Sequence, residues 1–328
     1  MISVVLTSYN YASFLTRAID AVLHQSVKAS EFIIIDDDST DSSLEIIKEY
    51  ARSNLQIKIV KNDSNKGVIW SINYGLKVAT NPFILFATAD DIVHSDLIEK
   101  SLVLLTRYPS AAFFTAAVDI MDKQGNQLER WSSHSSNKKE YVNQEESRNQ
   151  MNRRGFWFAG ATSVFRRQMI VEAGGFMPEL GHYCDSFISQ VLALRHGYCY
   201  SQKSLAAIRM DKSSYSQAIK VNITMEKELQ YNVIKLMKTK YSDLFPPKFI
   251  DEWSKVNKLI SAIYSKRAEI AKKQEFFQNN NIFLSFFLKI FFWFQFLIFA
   301  MYVTAIYGRG RLFFQYISFT RLWLWLRR

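Results

Sequence analysis

Apolar runs and polar breaks alternate through the first hundred residues. The stretch ISVVLTS, Ile2–Ser8, is a short β-branched run that ends at the turn-like YNYAS. Phe14–Gln25 follows, with Phe14, Ala18, Ala21 and Val22 at helical spacing. Glu31–Asp36, EFIIID, is a continuous apolar run ending in acids. SLEIIKEYA then predicts a helix with Ser39, Thr40 and Asp41 as candidate caps. Gln56–Asn62 alternates as a strand, GVIWSINYGLKVA predicts a helix and PFILFA a strand. This βαβαβαβ order predicts an α/β fold, a mostly parallel sheet with helices on both faces. Ligands of such sheets bind beyond the carboxyl ends of the strands. Three of the four strands run into polar clusters there: TSYN, DDDSTD and TADD.

The second hundred residues are less regular. A strand begins within Pro109–Phe114, and MDKQGNQLERW reads as a hairpin around Gly125. Residues 132–155 are polar and read as a loop. GFWFAGATSVFRR reads as a strand, and QMIVEAGGF as a helix stopped by Gly174 and Gly175. Cys184–Gly197 predicts a helix whose basic end suits the helix dipole. From about Ser213 to Phe277 the pattern is helical and rich in Lys and Glu, divided by Pro246 and Pro247. The expected units are 1–212, split near residue 100, a helical extension 213–275 and a tail 276–328.

The tail changes the picture. Ile282–Tyr307 is apolar and aromatic, and after Lys289 about eighteen residues carry no charge, near the length that spans a bilayer. Basic groups flank it on both sides, Lys266, Arg267, Lys272 and Lys273 before and Arg309, Arg311, Arg321, Arg327 and Arg328 after. A single span would strain the positive-inside tendency. Helices lying in the interface keep every basic group at the headgroups, so attachment to a membrane surface is the favoured reading. A span and a soluble oligomer interface are the alternatives. The net charge of +11 is an excess usually met by phosphates. The late basic groups sit among Trp, Phe and Leu, which argues against a nucleic acid as partner. Cys184 and Cys199 are too few for a disulfide framework and fit a reducing compartment. The apolar run at the N-terminus is too short for a signal peptide, so the expected location is the cytoplasmic face of a membrane.

Two acidic clusters carry the candidate chemistry. Asp36, Asp37 and Asp38 follow a buried strand; they read either as acids at a helix N-terminus or as acceptors for a base N–H or ribose hydroxyl. Asp90 and Asp91 end FILFATADD with no Lys or Arg within several residues. They read either as a surface turn before the helix HSDLIEKSLVLL or as a foothold for a hard divalent cation. Mg2+ often takes only one or two protein carboxylates, with substrate phosphates completing the shell. The five His residues have no ligand spacing with one another or with Cys.

Taken in order, VVLTSYN, IIIDDDSTD, NKG at Asn65–Gly67, ILFATADD, GATSVFRR, GGF and the acid heading CDSFISQVLALRHG resemble the family 2 glycosyltransferases of GT-A fold. The resemblance covers about residues 1–210. It implies that Thr7 and Tyr9 line a nucleotide pocket and that Asp37 contacts the base, uracil by expectation. It implies that Asn65, Lys66 and Gly67 close around the nucleotide. Asp90 matches the last acid of the Asp-x-Asp motif and would bind Mn2+ or Mg2+ on the diphosphate, beside Thr88 and Ala89, with Asp91 a possible second acid. Asp185 matches the base that deprotonates the acceptor hydroxyl, its bland reading being a helix cap. Thr88 stands where the motif has its first acid, and Cys184 where a Glu is common. Trp157 and His182 are candidates for the acceptor site, with core packing and a surface loop as their alternatives. The resemblance implies inverting transfer from a nucleotide sugar to a saccharide, lipid-linked by the membrane argument, in surface glycan assembly. The rivals are a polyprenyl-phosphate sugar transferase and a sugar-nucleotide-binding subunit without catalysis.

Overall fold

The computed structural model describes residues 1–122, 124–132, 139–154, 158–209, 222–258 and 261. Four strands come first: β1 (Ile2–Ser8), β2 (Glu31–Asp36), β3 (Ile57–Lys61) and β4 (Phe83–Thr88). They pair in parallel in the order β3-β2-β1-β4, with helices α1 (Ala12–Leu23), α2 (Ser43–Ser53) and α3 (Val68–Val78) as crossovers. The sheet continues through β9 (Val164–Arg166), β6 (Phe113–Met121) and β10 (Tyr198–Arg209) to the short β5 (Ile92–Val93). β9 runs antiparallel to both β4 and β6, whereas β6 and β10 are parallel. β7 (Gln127–Trp131) closes a hairpin on β6 through Gly125, whose φ of 92° suits a residue without Cβ, and β8 (Tyr141–Val142) borders β10.

The period of two along each strand sorts the core into two layers. Val5, Ile33, Ile35 and Ile84 face one side, against α3, α6 (Arg167–Glu172) and α7 (Cys184–His196). Val4, Leu6, Phe32, Ile34 and Leu85 face the other, against α1, α2 and α4 (Leu97–Arg107). Each fully buried Val, Leu, Ile or Phe contributes about 1.5–3 kcal/mol, so the sandwiched sheet is the main source of stability. α3 lies very close to β1: a Cβ at Gly75 would meet Val5 Cγ1 at 2.4 Å. At the amino edge, buried Glu31 accepts from Ser3 Oγ and Lys58 Nζ, each at 2.6 Å, and from the Thr80 N–H at 3.0 Å. Burial would raise its pKa, but the Lys58 ammonium, the Ser3 hydroxyl and the Thr80 N–H outweigh that and hold it below the usual range.

Several expectations are corrected. The polar stretch read as a loop contains β8 and helix α5 (Gln144–Arg154). Asn143 and Glu146 cap α5 reciprocally, each side chain accepting from the other's N–H. Only Ser147 and Met151 are buried among its described side chains, so almost no apolar periodicity marks it. Among the described residues of GFWFAGATSVFRR, strand is confined to Val164–Arg166; Gly160–Thr162 is a 3-10 turn. Between Asp91 and α4, which starts at Leu97, lies the short strand β5, so these acids lead into a strand before the helix. Ser42 is the N-cap of α2 by position, but Asp41 Oδ1 accepts from the N–H of its first residue, Ser43, while Ser39 and Thr40 bind the β1–α1 loop instead.

Beyond the sheet, the 3-10 segment Pro178–Tyr183 leads into α7, and α8 (Ile223–Lys238) and a helix at 247–258 pack on it. Among the described residues, no helix is long and apolar enough to cross a membrane. The tail 276–328 and Trp157 lie outside the described residues.

Candidate active site

The carboxyl ends of β1, β2 and β4 gather the residues singled out in the sequence. Thr7 sits opposite Thr88 in the β1–β4 register, and Ser8 opposite Asp36. Tyr9 follows and is 42% exposed. Asn10, at φ 57°, ties the loop after β1 to the loop after β2. Its Oδ1 accepts from the N–H groups of Thr40 and Asp41, and its own N–H donates to Ser39 Oγ. Asp41 returns the contact by accepting from the Ala12 N–H at the start of α1.

Asp37 is buried and its carboxylate is nearly filled. Oδ1 accepts from Asn62 Nδ2 at 2.6 Å and the Lys66 N–H at 2.9 Å, and Oδ2 from the Gly67 N–H at 2.8 Å. A carboxylate has about four acceptor positions, so one remains, on Oδ2. Asp37 therefore shapes the 62–67 loop, whatever else it binds. Gly67, at φ 86°, ends that loop and caps α3. The Lys66 ammonium is 2.8 Å from Asp63 and lies 4.7 Å over the Trp70 ring, which stacks on Tyr74.

The acids after β4 divide their work. Asp91 Oδ2 accepts from Thr88 Oγ1 at 2.7 Å, and Oδ1 from the Arg209 N–H at 3.0 Å. Burial and then the neighbouring Asp90 charge push the Asp91 pKa up to about 7, against the Thr88 and Arg209 contacts. The positive partner missing nearby in sequence arrives from β10. Arg209 Nε reaches the Asp90 carbonyl at 3.3 Å and Nη1 the Asp122 carbonyl at 2.8 Å, while its guanidinium lies 4.5 Å over Phe14. Sequence reasoning missed Arg209; the one signal available was that a pair of acids on an apolar strand needs a cation.

Both Asp91 oxygens are engaged, and Asp90 is the second carboxylate of the turn. Among the described residues no group of three or more His, Cys, Asp or Glu converges on a metal position. One carboxylate, with phosphate oxygens and water completing the shell, is a donor set that Mg2+ and Mn2+ accept.

Asp185 lies in the first turn of α7 and is exposed, its Oδ1 accepting from the Ser186 N–H at 2.7 Å. Its Oδ2 would stand 3.3 Å from a Cβ on Gly160. The β4–β9 register carries the chain upstream of Val164 along the carboxyl half of β4, so Gly160 brings Asp185 to the same end of the sheet as Thr88. The GGF turn is locked nearby: Asn73 Nδ2 donates to the Phe176 carbonyl at 2.6 Å, and the Phe176 N–H donates back to Asn73 Oδ1 at 2.9 Å. Cys184 is buried, which raises its thiol pKa and keeps it protonated.

His182 is corrected. Its side chain is 6% exposed and faces Glu226 Oε2 at 3.6 Å, so it belongs to a buried cluster with α8 and not to a surface loop. A cavity of about 490 Å³ bordered by Ser110, Tyr141, Arg195 and His196 opens at the amino ends of β6 and β10. It is at the wrong end of the sheet for the acids.

This chain matches the sequence model of glycosyl transferase family 2 over residues 3–173, just over half its length, and belongs to that family. Among characterised and uncharacterised relatives, it is 35% identical over 102 residues to an uncharacterised glycosyltransferase of Haemophilus influenzae, covering 31% of this chain and 41% of that one. It is 30% identical over 131 residues to the putative teichuronic acid biosynthesis glycosyltransferase TuaG of Bacillus subtilis, covering 40% and 52%. The chain thus spans about half or less of these relatives. Its fold is similar to Staphylococcus aureus TarS residues 1–349, solved with UDP-GlcNAc, at a TM-score of 0.51 and 17% identity over 73% of each chain. It is also similar to the mannosyltransferase PcManGT of Pyrobaculum calidifontis, solved with GDP-Man and Mn2+, at 0.55 and 15%, covering 98% and 87%.

Proposed function

We propose that the chain is an inverting glycosyltransferase that moves a sugar from a nucleotide donor, UDP-linked, to a hydroxyl of a lipid-linked saccharide. The observation that carries this is the gathering of three separate devices at one end of the sheet. They are the 62–67 loop held by Asp37, the Thr88–Asp91 turn, and Asp185 beside Gly160. In this reading Thr7, Tyr9 and the 62–67 loop hold the nucleoside, and the last acceptor position of Asp37 takes an N–H of the base. Asp90 faces the diphosphate, where a bound Mn2+ or Mg2+ supplies Lewis-acid stabilisation of the leaving group. Asp185 takes the proton of the acceptor hydroxyl as its oxygen bonds to the anomeric carbon. Attack opposite the leaving diphosphate inverts that carbon.

The test is a screen of UDP-glucose, UDP-GlcNAc and GDP-mannose for hydrolysis with and without Mn2+ and with chelator. Release of UDP that depends on Mn2+ is the expected result; release of GDP alone would replace the donor assignment. TuaG is named for teichuronic acid biosynthesis and GgaB of Bacillus subtilis for minor teichoic acid biosynthesis, which supports a surface-polymer acceptor.

Attachment to the cytoplasmic face of a membrane belongs to the same proposal. Truncation after Gln274 removes the aromatic tail and leaves every described strand in place. Flotation with anionic liposomes is expected to carry the full chain and not the truncated one. Equal flotation of both would end this part of the reading.

A further inference from the structure

Helix α8 lies outside the residues that the family model matches. Its inner face begins polar and ends apolar. Val233 and Met237 are buried in the core with Tyr241 and Leu180, and Leu229 is buried against Gly181, as packing alone would ask. At the amino end the buried positions are instead Glu226, 2% exposed, and Gln230, 5% exposed. A buried carboxylate is costly unless its oxygens are bonded, and an apolar side chain at 226 would extend the stripe without that cost. A polar group here does what an apolar one cannot, which is to select one orientation of its partners.

Those partners lead to the active site. Glu226 Oε1 accepts from Tyr183 OH at 2.6 Å and from Gln230 Nε2 at 3.0 Å. Gln230 Nε2 is in turn 2.6 Å from Ser261 Oγ, and the Tyr183 hydroxyl is 3.2 Å from Asn257 Oδ1. The Tyr183 ring is held between His182, at 4.2 Å between centroids, and the edge of Trp253, at 5.5 Å. Tyr183 is the N-cap of α7, and its carbonyl accepts from Ser186 Oγ at 3.1 Å. Asp185 comes two residues after that cap. A helix start moves as a unit, so fixing the Tyr183 ring fixes the direction in which Asp185 projects.

We infer that Glu226 is a positioning residue: through the Tyr183 hydroxyl it sets the placement of the Asp185 carboxylate toward the acceptor. This rests on the reading of Asp185 as the base. The helical extension is then part of the catalytic apparatus, although it carries no group that touches the reacting atoms.

The experiment uses the full chain and the sugar nucleotide that the screen finds to be hydrolysed fastest. Glu226→Ala, Glu226→Gln, Tyr183→Phe and Asp185→Asn are compared for kcat, donor KM and binding of UDP with Mn2+. Glu226→Ala and Tyr183→Phe are expected to lower kcat about tenfold or more, with donor KM and UDP affinity within about twofold of the parent, as misplacement of a catalytic group does. Glu226→Gln keeps an oxygen for Tyr183 and is expected to retain most of the rate. Should Glu226→Ala not fold, the two milder variants still decide. Normal kcat in Tyr183→Phe, or parallel loss of kcat and UDP affinity across the variants, would overturn the inference. A slow Asp185→Asn beside normal Glu226 and Tyr183 variants overturns the positioning alone. A wild-type rate in Asp185→Asn overturns the base assignment and this inference with it.

Discussion

The ends of β2 and β4 carry similar acids and use them in opposite ways. After β2, Asp37 and Asp41 spend their oxygens on backbone N–H groups and Asn62, knitting the loops that follow β1, β2 and β3. After β4, Asp91 spends its oxygens on Thr88 and Arg209, and its neighbour Asp90 is pressed against it as a second negative charge. In the first cluster Asp37 and Asp41 act as a frame, held by donors inside the chain. In the second, two carboxylates lie side by side, and the proposed Mn2+ or Mg2+ would lessen their repulsion. Two runs of Asp that read alike in sequence are separated by what Asp37, Asp41 and Asp91 each bind.

The largest expected effect tests the second cluster. Asp90→Ala is expected to abolish transfer while the melting temperature stays near that of the parent. Full product formation by this variant in excess chelator would remove the distinction between the clusters. Asp185→Asn comes next, with a rate loss of about 100- to 10,000-fold and unchanged UDP binding. Asp37→Asn tests the frame. An amide places its own NH₂ against N–H donors, so a loss of about 2–3 kcal/mol in unfolding free energy is expected, together with weaker UDP binding. Unchanged stability would mean that the 62–67 loop holds itself.

The smallest effect is one of pH. Asp91 has its folded-state pKa raised, so without metal it favours folding most below about pH 4, and this advantage is lost as pH rises to about 7. Glu31 has its folded-state pKa lowered, so its contribution is present above its unfolded value and lost as pH falls into the acid range. In chelator, Asp91→Asn is expected to flatten the melting-temperature profile between about pH 4 and 7, and Glu31→Gln to flatten its acid limb. Profiles of both variants parallel to the parent would show that neither carboxylate is held as described.

Much of the first half was legible because its signals are local. The alternation of apolar runs, the acids that end them and the turn residues lie within a few positions of one another, and β1 to β4 follow that order. The second half depends on partners far apart in the chain. β10 was not read at all, since YCYSQKSLAAIR mixes polar residues into a strand whose register against β6 shifts twice. α5 was hidden because its buried face holds a Ser and a Met, and its start is set by side-chain capping. Arg209 was invisible as a partner of Asp91 because 118 residues separate them. His182 was misplaced because its neighbour Glu226 lies on a helix that sequence connects to nothing.

That long separation between Arg209 and Asp91 also sets an order in time. The chain leaves the ribosome N-terminus first. The four parallel strands and their crossovers are all synthesised by residue 88, so they can begin to assemble once they emerge, while synthesis continues. The turn after β4 is made at the same moment, but its clasp is not, and β5 waits for β10 as well. The acidic turn is therefore translated early and finished late, its contacts to Arg209 forming only when the last described strand of the sheet pairs beside β6.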